Sequence, residues 1–230
     1  MRRALIPGCL VAILTLPPLV LLRAQAGSDE ADRIREAATV LSEIASAPDK
    51  GIPNAVADKA EAIAVFPSVI KAGFVVGGHR GRGIISVRDR AARGWSPPAF
   101  LTLTGGSFGL QIGGEAADLV LVIMNRRGVE HLLQNQFKIG ADTAVAAGPV
   151  GRDAEASTDI QLRAEILSYS RARGLFAGLT IKGSAIKEDT DANASFYGSP
   201  FRTREIVLDG KAKATPPADQ WLDALTRFAR

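Results

Sequence analysis

Between Thr104 and Glu115 the chain places glycine at every fourth position: Gly105, Gly109 and Gly113. On an extended strand, whose side chains alternate between faces, Gly105, Ser107, Gly109, Gln111 and Gly113 share one face, while Phe108, Leu110 and Ile112 occupy the other. One face is apolar and the opposite one has almost no side-chain volume. Glycine inside a strand forgoes packing and costs conformational entropy, so a face of this kind implies that something lies close to its backbone. Two occupants fit. One is another strand or helix of the same core. The other is a lipid chain lying in a groove against bare backbone. A membrane-inserted glycine zipper fits worse, because the segment is too short to span as a helix.

The surrounding sequence supplies further short apolar runs, at 62–66 (ending at Pro67), 73–78, 83–88 and 100–104, with another at 107–112. Each is bounded by glycine, proline or charge, the pattern of strands joined by tight connections. Residues 119–124 form a continuous apolar run, as in a fully buried strand. A two-residue period places Ile160, Leu162, Ala164 and Ile166 on one face, and the same period recurs at Leu175, Ala177, Leu179 and Ile181. Residues 28–47 read instead as a helix capped by Ser28. Its apolar stripe is Ile34, Ala37, Ala38, Leu41, Ile44 and Ala45, and Pro48 ends it. A short helix is expected after Pro53 and another over 129–136. Thr215 would cap a last helix opened by Pro216-Pro217, with Trp221, Leu222, Leu225 and Phe228 as its apolar stripe. The expected class is α+β: an antiparallel β-sheet or barrel of many short strands, flanked by N- and C-terminal helices.

The first 26 residues stand apart from this domain. Arg2 and Arg3 precede an uncharged apolar run from Ala4 to Leu22, and Ala24-Gln25-Ala26 has the form of a cleavage site. That order is the layout of a secretory signal peptide cut after Ala26, which leaves residues 27–230 as one domain and predicts a periplasmic or secreted protein. The rival is a retained anchor, since the run is just long enough to span a bilayer, although Pro7, Pro17 and Pro18 interrupt it. Cys9, the one cysteine, lies inside this leader, so the predicted domain has no thiol for disulfides, thiolate catalysis or cysteine metal sites. Three of the 28 basic residues (Arg2, Arg3 and Arg23) also lie in the leader, leaving 25 against 24 acids and little net charge to draw the domain onto nucleic acid.

Any attraction to polyanions must therefore be local. Lys71, Arg80, Arg82, Arg88, Arg90 and Arg93 form the best basic cluster, opposed only by Asp89. Gly77, Gly78 and Gly81 leave the backbone accessible around Arg80 and Arg82. Arginine forks suit phosphate oxygens, and Trp95 and Phe100 are near enough in sequence to meet a membrane interface. The plainer alternative is a solvated hairpin edge whose charges blunt aggregation. Arg171 and Arg173 with Lys182 and Lys187 form a second, equally ambiguous group.

Enzyme chemistry finds little purchase. Gly105-Gly106-Ser107-Phe108-Gly109 matches G-x-S-x-G, but that motif needs a helix after the serine and an ordered acid and histidine downstream; His131 is the one downstream histidine. Asp189-x-Asp191-x-Asn193 begins like a calcium loop but has Ala194 and Pro200 where glycine and glutamate are required, so Asn193 reads as a turn or capping residue. His79 and His131 cannot build a zinc site without further ligands. His79 reads as a loop residue beside the basic cluster, and His131 as half-buried on a helix. No cofactor or metal is implied.

One ordered set of motifs does resemble a known family. Ala62-Ile63-Ala64-Val65-Phe66-Pro67 leads to Lys71-Ala72-Gly73-Phe74 with Gly77-Gly78, then Gly81-Arg82-Gly83 and Trp95-Ser96-Pro97-Pro98. After these come the stretch from Gly105 to Gly113, Asp118, and Gly148-Pro149-Val150-Gly151. Tyr169-Ser170, Arg173-Gly174-Leu175-Phe176-Ala177-Gly178, Asn193 and Phe196-Tyr197-Gly198 complete the set. In this order and spacing, over about residues 55–198, the chain resembles the SYLF domain family. The resemblance implies binding to membrane lipid head groups, which are phosphoinositides in eukaryotic members, some of which also contact actin. In some relatives a basic amphipathic helix at the start of the domain engages the membrane. Here the opening helix carries five acids and two arginines, so that mode of binding is not expected. The function expected from the sequence is docking on an anionic phospholipid or membrane surface through the basic cluster. The alternatives are an envelope module whose glycine-rich face holds a protein partner and, more remotely, a hydrolase using Ser107.

Overall fold

Runs that are apolar at every position, such as 62–66 and 119–123, need a strand covered on both faces, and the fold supplies that cover. The computed structural model describes residues 18–47, 51–73, 76–108, 115–134, 136–139, 145–149, 164–172, 175–176 and 183–229. Strands β1 (Ala62–Gly73), β2 (Val76–Asp89), β3 (Gly94–Trp95), β4 (Ala99–Phe108) and β5 (Glu115–Ile123) are followed by β6 (Phe137–Lys138), β7 (Val145–Ala147), β8 (Ile166–Ala172), β9 (Leu175–Phe176) and β10 (Ala185–Glu188). Helices α1 (Pro18–Ala45), α2 (Asn54–Ala57), α3 (Arg126–Leu132), α4 (Thr190–Tyr197), α5 (Thr203–Val207) and α6 (Pro216–Phe228) surround them. The sheet runs β6-β10-β4-β2-β1-β5-β8-β7, with β3 added to β2 and β9 to β8. Its described pairings are antiparallel except β7 with β8, so the molecule has the expected α+β class and a mostly antiparallel sheet accompanied by N- and C-terminal helices.

Each face of the sheet has its own core. Ile63, Val65, Ile84, Phe100, Val120, Val122 and Leu167 meet Ile34, Leu41 and Ile44 of α1 and Trp221, Leu225 and Phe228 of α6. Trp221 donates its indole N–H to Ser86 Oγ at 2.9 Å, which satisfies two buried polar groups at once. On the other face Ala64, Phe66, Ile85, Leu101, Leu121 and Ile123 pack with Val129 and Leu132 of α3 and Ile206 and Val207 of α5. Phe137 and Ile186, from the β6–β10 end of the sheet, join that second core.

Several local expectations are corrected. Helix α1 is already helical at Pro18, the first described residue, so Ser28 lies inside it rather than at its cap. Ala45, read as part of its apolar stripe, is exposed. Pro67 does not end β1. Phe66 pairs with Leu119 and Val69 with Ala117, so one extra residue forms a bulge at Pro67-Ser68. The bulge accommodates the missing proline N–H. Ser68 takes a positive φ of 51° there, and its N–H donates to Asp118 Oδ1 at 3.0 Å. The segments read as separate strands at 73–78 and 83–88 merge largely into β2, which is 14 residues long.

Asn193 is neither a turn nor a cap. It is fully buried in α4 and its Oδ1 accepts the Phe100 N–H at 2.9 Å, while Asp189 caps the helix through the Ala192 N–H. The Asp-x-Asp-x-Asn pattern is thus the start of a helix. The alternating residues 177–181 and most of 160–166 lie outside the described residues.

Candidate functional site

The two faces of β2 explain where its glycines and arginines go. Gly81 and Gly83 point toward the α3/α5 side, where there is no room. A Cβ on Gly83 would sit 2.4 Å from Val65 O and 2.5 Å from the Phe66 ring, and one on Gly81 would sit 2.8 Å from Val69 Cγ2. Arg80 and Arg82 alternate with them on the α1 side. Residues two apart on a strand lie about 7 Å from each other on the same face, and both arginines are exposed. The strand that carries them is interior, paired to β1 on one side and β4 on the other. The hairpin-edge reading of these arginines is therefore wrong, because β2 has no free edge over this stretch.

The bulge in β1 sets what stands beside them. Val65 faces α1, but past the extra residue it is Ile70 that does so, opposite Arg80 in the ladder. Ile70 is 59% exposed, the one large apolar side chain so open among the described residues. Ile70 is thus left open where α1 and the sheet face each other. A groove of about 840 Å³ results, walled by Asp29, Asp32 and Glu36 of α1 and floored by Ile70, Gly78, Arg80 and Arg82. Among the described residues no ion pair engages Arg80 or Arg82.

The other members of the basic cluster are placed differently. Arg88 donates to Asp58 O at 2.8 Å and to Ala229 O at 3.2 Å, and its guanidinium stacks 5.6 Å from the Trp95 ring. It ties the C-terminal end of the chain to β2. Arg90 makes a two-nitrogen contact with Glu61 Oε1, at 2.9 and 2.6 Å. Arg93 is exposed in the turn after β2, with a φ of 53°. Lys71 is in β1, paired through its backbone with His79 and Glu115, and its side chain lies outside the described residues. The structure thus brings Arg80, Arg82 and Ile70 together and gives Arg88 and Arg90 internal partners. Phe100, read as an interfacial aromatic, is fully buried and stacks edge-on with Phe196 at 5.3 Å. In the second basic group, Arg171 is held by Asp118 at 2.9 Å and by Glu43 at 2.5 Å, and Lys187 is exposed on β10. Arg173 and Lys182 lie outside the described residues.

The glycine-rich face resolves at Gly105. A Cβ there would fall 2.4 Å from His79 Nε2 and 2.9 Å from Ser184 Oγ. His79 is not a loop residue. It is a buried strand residue whose Nε2 lies 2.6 Å from Ser184 Oγ across the bare backbone of Gly105. The core itself fills that space, which is the first of the two occupants considered for the glycine face. Ser107 follows on the same strand, paired with Gly77. β4 continues through Ser107 to Phe108, so the serine is placed within a strand, and the segment that a hydrolase elbow would need as a helix, from residue 109 on, lies outside the described residues. Gly109, Gln111 and Gly113 lie outside the described residues. His131 is half-buried on α3 as expected, with Nδ1 3.1 Å from Glu165 Oε2.

Sequence reasoning missed the acidic wall and Ile70. The acids were legible as Asp29, Asp32 and Glu36 at helical spacing, but nothing local says which strand they face. Ile70 was hidden by taking Pro67 as a strand end, although a proline inside an apolar run also signals a bulge.

A family model described as "Ysc84: Las17-binding protein actin regulator" matches residues 104–228. The SH3 domain-containing YSC84-like protein 1 of Xenopus laevis is 38% identical over 200 residues, which cover 84% of this chain and 59% of that protein. The Homo sapiens protein of the same name is 34% identical over 200 residues, covering 84% of this chain and 58% of the relative. Protein YSC84 of Saccharomyces cerevisiae is 34% identical over 180 residues, covering 77% of this chain and 38% of that protein. The chain therefore spans between about two fifths and three fifths of the length of these relatives. The family description names binding and regulation rather than a reaction. The ordered motifs, the family match over more than half of the chain and identities above 30% agree, and the chain belongs to the Ysc84/SYLF family.

Proposed function

We propose that this chain is an exported lipid-binding protein, periplasmic or secreted, that docks on anionic membrane through the Arg80–Arg82 groove. The observation that carries this reading is the pairing of two exposed arginines with an exposed isoleucine in one groove of the sheet. Guanidinium forks bind phosphate oxygens, and an apolar side chain beside them enters the acyl boundary. Each basic residue at an anionic surface contributes about 1 kcal/mol. Export is supported by the basic start, apolar run and Ala24-Gln25-Ala26 site of the leader. Co-flotation with vesicles tests the docking. Binding should require anionic lipid, weaken as salt rises, and fall in Arg80→Glu/Arg82→Glu. Arg90→Glu should have a smaller effect, since Arg90 already serves Glu61. Flotation that ignores both charge and salt would refute the assignment.

A second reading is favoured by the relatives' own names. The family is described as Las17-binding, and a yeast relative is named LAS seventeen-binding protein 3. A protein partner in the envelope could occupy the same surface. Capture of a defined partner without lipid, lost in Arg80→Glu/Arg82→Glu, would favour that reading over the membrane.

A further inference from the structure

We infer that the groove between α1 and the β1–β2 surface selects phospholipid head groups that carry a primary ammonium as well as a phosphate; this rests on the lipid-docking reading above. The argument comes from the two walls of the groove, which are opposite in sign. On the sheet side Arg80 and Arg82 stand exposed about 7 Å apart. On the helix side Asp29, Asp32 and Glu36 recur at three- and four-residue spacing, so they project from one face of α1.

The walls do not neutralise each other. Among the described residues no ion pair crosses the groove. Asp32 binds its neighbour Arg35, and Arg33 is spent on Asp189 at 2.9 Å. Asp29 and Glu36 are exposed and, among the described residues, no ion pair engages them. A head group that is only anionic would reach the arginines but meet these carboxylates at like charge. A simple cation would meet the reverse. A head group with both charges places phosphate on Arg80 and Arg82 and ammonium toward Asp29 and Glu36, and the 840 Å³ opening admits a group of that size.

The test compares phosphatidylserine with phosphatidylglycerol, each at the same mole fraction in phosphatidylcholine vesicles. Both lipids carry one net negative charge, but only the serine lipid has an ammonium. The protein is used in the form that accumulates in cells. Phosphatidylserine vesicles should bind about two- to fivefold more tightly, the range expected for exposed charge pairs. In Asp29→Asn/Glu36→Gln the preference should vanish, with phosphatidylglycerol binding rising as the like charge is removed. Both positions are exposed, so the variant should melt with the parent. Equal affinity of the parent for the two lipids, or a preference that survives the double variant, would overturn the inference and leave the docking reading standing. Binding to neither lipid would overturn the docking reading, and the inference with it.

Discussion

Replacing Gly83 by alanine adds one methyl group to a strand, yet it should be among the most damaging single changes in the sheet. The new Cβ would lie 2.4 Å from Val65 O and 2.5 Å from Phe66 Cδ1, where ordinary contact begins near 3.4 Å. The carbonyl belongs to the backbone of β1, so no rotamer change relieves the overlap. β1 must retreat by about 1 Å, in the middle of the register that pairs Val65 with Ile84. Overpacking a core costs about 1–3 kcal/mol, and each weakened ladder bond adds about 0.5–1.5 kcal/mol. A loss of about 2–4 kcal/mol follows. Gly78 on the same strand is the control. The nearest atom to its added Cβ is Gly105 O, at an ordinary 3.5 Å. Gly78→Ala should be neutral or stabilise by up to about 1 kcal/mol through the unfolded state. Urea unfolding of both variants at a common slope measures the difference. If the two midpoints coincide, close backbone approach is not why glycine occupies position 83.

Asn193→Ala should cost about 1–3 kcal/mol in the same assay, because it strands the buried Phe100 N–H that Asn193 Oδ1 accepts at 2.9 Å. Buried Tyr169 and half-buried Tyr197 should separate on removal of their hydroxyls. Tyr197 donates to Pro98 O at 2.6 Å, so Tyr197→Phe should lose about 1 kcal/mol. Tyr169 Oη is buried with no hydrogen-bond partner among the described residues, so Tyr169→Phe should be neutral or stabilising. Burial pushes both phenols above their ordinary range, so their contribution is complete below about pH 10 and is lost as pH rises beyond it; alkaline titration of unfolding should lose that slope in the double Phe variant. Burial likewise raises the Glu30 carboxyl above its usual 4.5, against the opposing effects of its hydrogen bonds, including one from Ser195. Its contribution is therefore complete below pH 4.5 and declines as pH rises. Glu30→Gln should remove that decline and leave the protein at least as stable at neutral pH, which a melting series across pH would measure.

Much of the fold was legible because the apolar patterns are strong. The continuous run at 119–123 needs cover on both faces and has it. The stripe at Trp221, Leu225 and Phe228 could only pack as a helix. Strand lengths were less legible. Gly81 and Gly83 look like punctuation, but in β2 they are spaces left for Val65, Phe66 and Val69 to approach. Asn193 shows the same limit from the polar side. Its local pattern suggests a cap, and its actual partner is the Phe100 backbone, 93 residues away. At the site, sequence reasoning singled out Arg80 and Arg82 but could not separate them from Arg88 and Arg90. That separation depends on long-range partners, Ala229 O for Arg88 and Glu61 for Arg90. The opposing carboxylates of α1 depend in the same way on how a helix some fifty residues upstream crosses the sheet.

A probe at position 70 would read the proposed contact at its source. With Cys9 the one cysteine in the chain, Ile70→Cys on a Cys9→Ser background gives a single attachment point for an environment-sensitive fluorophore, on a side chain already open to solvent. Adding anionic vesicles should shift its emission to the blue, and adding Arg80→Glu/Arg82→Glu to the labelled protein should abolish the shift. A protein that floats with those vesicles while the dye at position 70 still reports water would be binding through some other surface.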